Sequence, residues 1–307
     1  MPLFDYMKQT QRFLRDGNQA LLSPEDIVSY VNRARREVAM RTQCIRLIPP
    51  ISGSITQAVV TAGGSGYTNP KVSVTPPDFP GGGAYAPGGA QASAKATVIG
   101  GAVNDVQMAQ GGYGYFQPSL TITDPTGAGA TASPIMTPMN LLLQNQEVYP
   151  FSGVPLGNAP GVASIYAVKS VAIIFANYRY VCNYKSFTEY QAYVRNYPFQ
   201  YQFVPTIWSQ YGQGVGGSAY FYPIPSQTYQ MEWDCFCVPQ DLTDDFSVEA
   251  IPQPWTDVVP YFAAHLAYLE LQNLNAAKGY LDLYDAMAKR YSAYARMGRP
   301  TTMYGRY

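Results

Sequence analysis

A segment of this chain is written twice. Ser54-Ile55-Thr56-Gln57-Ala58-Val59-Val60-Thr61-Ala62-Gly63-Gly64-Ser65-Gly66-Tyr67 returns as Ala102-Val103-Asn104-Asp105-Val106-Gln107-Met108-Ala109-Gln110-Gly111-Gly112-Tyr113-Gly114-Tyr115. Each copy then runs through a proline into an alternating stretch, Pro70-Lys71-Val72-Ser73-Val74-Thr75 or Pro118-Ser119-Leu120-Thr121-Ile122-Thr123, at a constant offset of 48 residues. A small-residue stretch closes each copy, Ala90–Val98 and Gly127–Ser133. Alternation of apolar and polar residues predicts half-buried strands, and the Gly-Gly-x-Gly-Tyr elements supply glycines able to take positive φ in turns. Two copies of a three-strand unit predict a small β-sandwich or barrel. A duplication this regular points to a scaffold or surface module rather than to a catalytic centre.

The repeat interrupts a different kind of sequence. Ser23 is an N-cap, Pro24 takes the first helical position, and Asp26 stands where a capping box wants an acid. Ile27, Val31, Ala34 and Val38 follow at helical spacing, with Arg33, Arg36, Glu37 and Arg41 on the other faces, until Pro49-Pro50. A shorter polar helix is expected from Asp5 to Asp16. Beyond the repeat, Ser170–Phe175 and Tyr178–Cys182 read as strands, Ser186-Phe187-Thr188-Glu189 opens a short helix, and Ala219–Pro223 with Tyr229–Val238 reads as a hairpin turning at Pro225-Ser226-Gln227. Two helices end the chain. Val258, Phe262, Leu266 and Leu269 share a face on the first, which cannot start far before Pro260. Asn275 is the expected cap of the second, whose stripe is Ala277, Leu281, Tyr284, Ala288, Tyr291 and Ala295. The expected fold class is therefore α+β: a helical bundle or hairpin core with antiparallel strands, plus an inserted all-β domain. The core is read as 1–52 and 139–307, the insert as 53–138, and 298–307 as a tail; an exposed, mobile loop is expected from Pro76 to Gly89.

Composition narrows the function classes. Charged residues make up only 13% of the 307, the formal net charge is zero, and there are 27 tyrosines. Diffuse binding to a nucleic-acid backbone needs clustered Lys and Arg to release counterions, and a neutral, charge-poor surface is a poor candidate for it. A charge-poor, Tyr-rich surface fits one covered by partners, although an ordinary β-rich secreted protein has the same signature. Met1-Pro2-Leu3-Phe4-Asp5 has neither a basic nor an apolar leader region, so no signal peptide is expected, and no run is apolar enough for a membrane span. Cys44, Cys182, Cys235 and Cys237 read as reduced structural thiols. Cys235 and Cys237 share one face of a strand, and a zinc site would need closer ligand pairs and more than the single His265.

Each candidate for chemistry has a plainer reading. His265 has no recognisable nucleophile beside it and reads as structural. Asp241, Asp244, Asp245 and Glu249 could pair as carboxylates or hold a cation, but a solvated linker before Pro252 fits better. Gly63–Gly66 lacks the Lys-Ser/Thr of a phosphate loop and precedes no helix. Arg33, Arg35, Arg36 and Arg41 on one helix read as a solvated or interface face. No enzyme activity, cofactor or metal is expected.

The order of elements carries a resemblance. Asn32-Arg33-Ala34-Arg35-Arg36-Glu37-Val38-Ala39, Gln146-Glu147-Val148-Tyr149-Pro150-Phe151, Tyr220-Phe221-Tyr222-Pro223-Ile224-Pro225, Met231-Glu232-Trp233-Asp234-Cys235, Pro239-x-Asp241-Leu242 and the final helix pair follow one another. Over Ser23–Ile48 and Gln146–Met297 the chain resembles the head-to-tail adaptors of tailed phages, the tail tubular protein A-like connectors. The insert departs from that family and resembles Gly-Tyr-Thr repeat modules of phage and bacterial surface proteins. The resemblance implies a structural virion protein at the head–tail junction, made in the host cytoplasm. It further implies a homo-oligomeric ring of twelve copies between the portal ring and the tail nozzle or tube, with DNA passing through its channel at ejection without sequence-specific binding. Tyrosines, methionine and arginines in the tail are residue types favoured at interfaces. By the resemblance, Arg299, Met303, Tyr304, Arg306 and Tyr307 dock into the portal. The competing expectation is a glycan-binding or glycan-cleaving phage surface or tail protein that stacks sugars on Tyr67, Tyr85, Tyr113 and Tyr115.

Overall fold

The computed structural model describes residues 1–15, 21–78, 89–175, 178–196 and 202–297. Tyr85, most of the loop expected from Pro76 to Gly89, and the tail 298–307 with Arg299, Met303, Tyr304, Arg306 and Tyr307 lie outside them. The helices are α1 (Leu3–Leu14), α2 (Pro24–Thr42), α3 (Phe187–Asn196), α4 (Val259–Glu270) and α5 (Leu274–Met297). The first strands are β1 (Arg46–Leu47), β2 (Ile55–Ser65), β3 (Lys71–Val74), β4 (Ser93–Ile99), β5 (Ala102–Gln110), β6 (Leu120–Thr123) and β7 (Ala128–Met136). There follow β8 (Leu141–Leu142), β9 (Val148–Pro150), β10 (Val162–Phe175), β11 (Tyr178–Val181), β12 (Asn183–Tyr184), β13 (Gln202–Phe203), β14 (Ile207–Tyr211), β15 (Ser218–Tyr222), β16 (Ile224–Pro225) and β17 (Tyr229–Pro239).

Strand residues outnumber α-helical ones among those described, and the core is organised on a sheet. The expected helical-bundle core is thereby corrected. β17 is the reason. It pairs antiparallel with β10 on one side and with β1 and β8 on the other, so its backbone is laddered on both edges. Met231, Trp233 and Cys235 alternate along it and are completely buried. The helices form a layer on this sheet: α2 packs on β17, and α4 packs on α1, α2 and α5. Their apolar stripes thus meet a sheet face as well as each other. This is why α4 buries Ala263, Ala264 and Ala267, between neighbours on several sides, while Leu269 stays exposed. The capping of α5 also differs from expectation, since Asn273 Oδ1 accepts from the Ala276 N–H.

The expected hairpin of Ala219–Pro223 with Tyr229–Val238 does not form. β15 pairs with β14 and β9, in a sheet of order β12-β14-β15-β9, and β17 lies in the other sheet. Pro223 and Pro225 have no N–H to give a ladder, and the chain uses this stretch to change layers. The two strands then meet face to face, with the Phe221 ring stacked on Trp233 at 6.2 Å between centroids.

One arginine of α2 is not on a solvated face. Arg35 is completely buried, one turn from Val31, and its guanidinium donates to both oxygens of Glu249 at 2.9 and 2.7 Å. It also reaches Asn32 Oδ1 at 3.1 Å and the Gln240 carbonyl at 2.7 Å. Asn32 in turn clasps the backbone of Leu242. This network straps the segment after β17 onto α2. The capping box at Ser23 and Asp26 forms as its spacing requires.

The duplicated segment builds its own sheets: one of order β4-β5-β2-β7 and a pair, β3 with β6. Tyr67 and Tyr115, the last residues of the two Gly-Gly-x-Gly-Tyr elements, are buried inside it.

Candidate assembly surface

β10 is 14 residues long, and its final turn of ladder carries β11: Ala172 faces Val181 and Phe175 faces Tyr178. Among the described residues, β11 is the outermost strand of its sheet, order β1-β17-β10-β11. All four of its residues are exposed, Tyr178 at 66% and Val181 at 71%. Tyr178 and Tyr180 lie on one face, with ring centroids 6.4 Å apart. Arg179 points the other way and is tied back to Glu232 on β17 at 2.7 Å. Edge strands are normally blunted by charge, proline or bulges. Here the one charge is neutralised within the sheet, leaving an open ladder edge flanked by Tyr, Tyr and Val.

More exposed aromatics follow β11 along the chain. The buried Cys182 anchors the next residue pair through a backbone bond to Val171 and an Sγ–H bond to the Pro205 carbonyl. β12 then presents Tyr184, exposed and edge-on to the buried Trp208 at 5.0 Å. Phe187, at the start of α3, packs on Tyr211 at 4.6 Å and Tyr220 at 5.0 Å. Tyr190 locks α3 down by donating to Glu147 Oε1 at 2.8 Å. Phe203, Tyr184 and Tyr211 remain exposed. Exposed aromatics so numerous, held on buried neighbours, mark an interaction surface.

The structure spends the other candidate side chains on internal contacts. The His265 ring nitrogen Nδ1 meets the Ala277 carbonyl at 2.8 Å, clamping α4 to the start of α5, and its ring lies against Phe262. His265→Ala is expected to cost about 1 kcal/mol, the worth of one such bond. A thermal melt checks it, and an unchanged midpoint would show that the clamp contributes nothing. The four acids do not converge: Asp241 pairs with Arg36, Asp245 accepts from the Phe4 N–H, and Glu249 is held by Arg35. Bonds from the Ser247 hydroxyl, then from the Ser247 and Phe246 N–H groups, hold the Asp244 carboxyl below the usual range. That is a turn, and no metal-binding group of three occurs among the described residues. Gly63 lies in β2, and Gly64 takes a φ of 61° beneath the Tyr67 ring. The four cysteines are free; burial pushes the thiols of Cys182 and Cys237 up to about 12. Arg33 is exposed, Arg36 and Arg41 pair with Asp241 and Asp285, and Arg35 is the buried strap.

The chain matches no protein-family model and no curated protein.

Of the tyrosines a sugar could stack on, Tyr67 and Tyr115 are buried and turn their hydroxyls to backbone N–H groups, while Tyr113 is exposed. Sequence reasoning takes Tyr178–Cys182 as a strand without singling out its surface. Alternating Tyr and Val is as good a signal for an inner strand as for an edge, and only the order of neighbours separates the two.

Proposed function

We propose that this protein is a structural adaptor of a tailed-phage head–tail junction, assembling through its aromatic edge into a ring between portal and tail. The observation that carries this reading is the outer β11 edge, with Tyr178, Tyr180 and Val181 exposed and Tyr184 exposed three residues further along the chain. A ring requires two different complementary faces per subunit, repeated until the rotation closes. An unpaired strand edge lined with aromatics is suited to be one of them, because main-chain pairing adds direction to apolar burial. The resemblance of the flanking sequence to head-to-tail adaptors supplies the biological setting, in which the DNA channel, the portal and the tail tube are the partners. Low charge agrees with a surface meant for protein neighbours.

Negative-stain imaging and mass photometry of the full chain, alone and with portal rings, test the proposal. Rings are expected, and Tyr178→Asp with Val181→Asp should reduce assembly at least tenfold while leaving the melting temperature of the subunit within a few degrees (about 4 °C). A chain that stays monomeric with portal present, or a double variant that assembles as the parent does, sinks it.

A further inference from the structure

The two copies of the repeat are wound into each other. β2 of the first copy pairs with β7 of the second, β4 with β5, and β3 with β6. Among the described residues, no strand pairs with a strand of its own copy. The apolar cluster between them likewise draws on both, with Ala58 and Tyr67 from one and Val103, Val106 and Ile122 from the other.

These contacts come in matched pairs. Ala58↔Pro134 and Val60↔Ala132 in one ladder correspond to Ala96↔Val106 and Ala94↔Met108 in the other. Even the irregularities correspond: the shift between Val60 and Ala62 answers to that between Ser93 and Ala94, and the shift between Ile55 and Gln57 to that between Thr97 and Val98. Tyr67 of the first copy takes the Ala130 N–H of the second at 2.9 Å, and Tyr115 of the second takes the Ala92 N–H of the first at 2.7 Å. Asp124 accepts from Thr68 and Asn69 at 3.0 and 2.6 Å, and Asp78 accepts from Phe116 and Gln117, both at 2.9 Å.

Two pairs decide the symmetry. Ala58 faces Val106, and Ser73 faces Thr121, each residue opposite its own counterpart in the other copy. In an antiparallel pairing that happens only on a two-fold axis. The connections obey the same operation. Ile99 pairs with Ala102 across the Gly100-Gly101 turn; at the other end the Thr137 N–H meets the Ser54 carbonyl at 2.9 Å, where the module joins the core.

We infer that the face each copy turns to the other is self-complementary, and that the partner it fits is a second copy of the same repeat. The insert is an isologous dimer whose two members share one chain, with one of its two equivalent connections replaced by the core. The inference is independent of the adaptor reading.

Two full-length variants test it. In the first, residues 54–98 are replaced by the sequence of 102–136, so that both positions carry the second copy. In the second, the two copies exchange places, which retains every native pair of side chains between them and changes only the connections. Both variants are expected to keep a protease-resistant insert, unfolding within about 8 °C of the parent. Loss of the insert's resistance in the exchanged chain would show that the two connections are not equivalent. Loss in the first variant alone would show faces that fit each other but not themselves. Either result overturns the inference.

Discussion

Replacing Arg35 with leucine is expected to destabilise the core by about 3–5 kcal/mol, the cost of breaking a buried ion pair from one side. Arg35 has no exposed surface and the Glu249 side chain only 6%, so the carboxylate left behind could not be rehydrated without opening the packing. Two further acceptors, Asn32 Oδ1 and the Gln240 carbonyl, would lose their donor with it. Water cannot easily replace four hydrogen bonds at a site packed beneath α1, where Tyr6 is also completely buried. Urea unfolding followed by tryptophan fluorescence measures the loss, since Trp233 and Trp255 belong to the same core. The double variant Arg35→Met with Glu249→Leu should recover most of the stability, because removing both charges also removes the desolvation cost. If Arg35→Leu alone costs less than about 1 kcal/mol, the pair is a surface-like contact and the strap is held by something else.

Gly112→Val is expected to unfold the insert while leaving the core intact. Gly112 sits at φ 60°, where a β-branched residue is strained, and a Cβ there would run into the Ala90 carbonyl oxygen and come within 2.8 Å of the Ala92 nitrogen. Those atoms belong to the opposite copy, the Ala92 N–H held by the Tyr115 hydroxyl and the Ala90 carbonyl by the Tyr113 N–H, so they cannot step aside cheaply. Strain and clash together should exceed about 3 kcal/mol, a large share of what a module of this size can hold. Gly100→Ala is the control, with a φ of 62° but nothing within 4 Å of the added carbon. It should cost only about 1–2 kcal/mol. Hydrogen exchange resolved along the chain checks both: protection should vanish from β2 to β7 in Gly112→Val and persist in β10 and β17. Protection retained across the insert would mean the turn can rebuild itself around a side chain.

Much of the local structure could be read directly. The helix from Pro24, its capping box and its buried stripe of Ile27, Val31, Ala34 and Val38 follow from local rules, which act between residues a few positions apart. The strands of the repeat and the positive-φ glycines are legible for the same reason. Of the surface proposed for assembly, the strand was legible and its place was not.

What the amino-acid order settles alone is thus the set of elements, their caps and the existence of a duplication. Only the folded chain decides which elements are neighbours. Arg35 reads as one more cation on a helix face until Glu249, far along the chain, arrives beside it. Ala219–Pro223 and Tyr229–Val238 read as a hairpin until they are found in separate layers. The helices read as a bundle until β17 is seen beneath them, and the repeats as two copies of a three-strand unit until their ladders are found to cross. In each case the deciding contact lies between residues distant in sequence. Its free energy comes from desolvation and ladder closure that no local window contains.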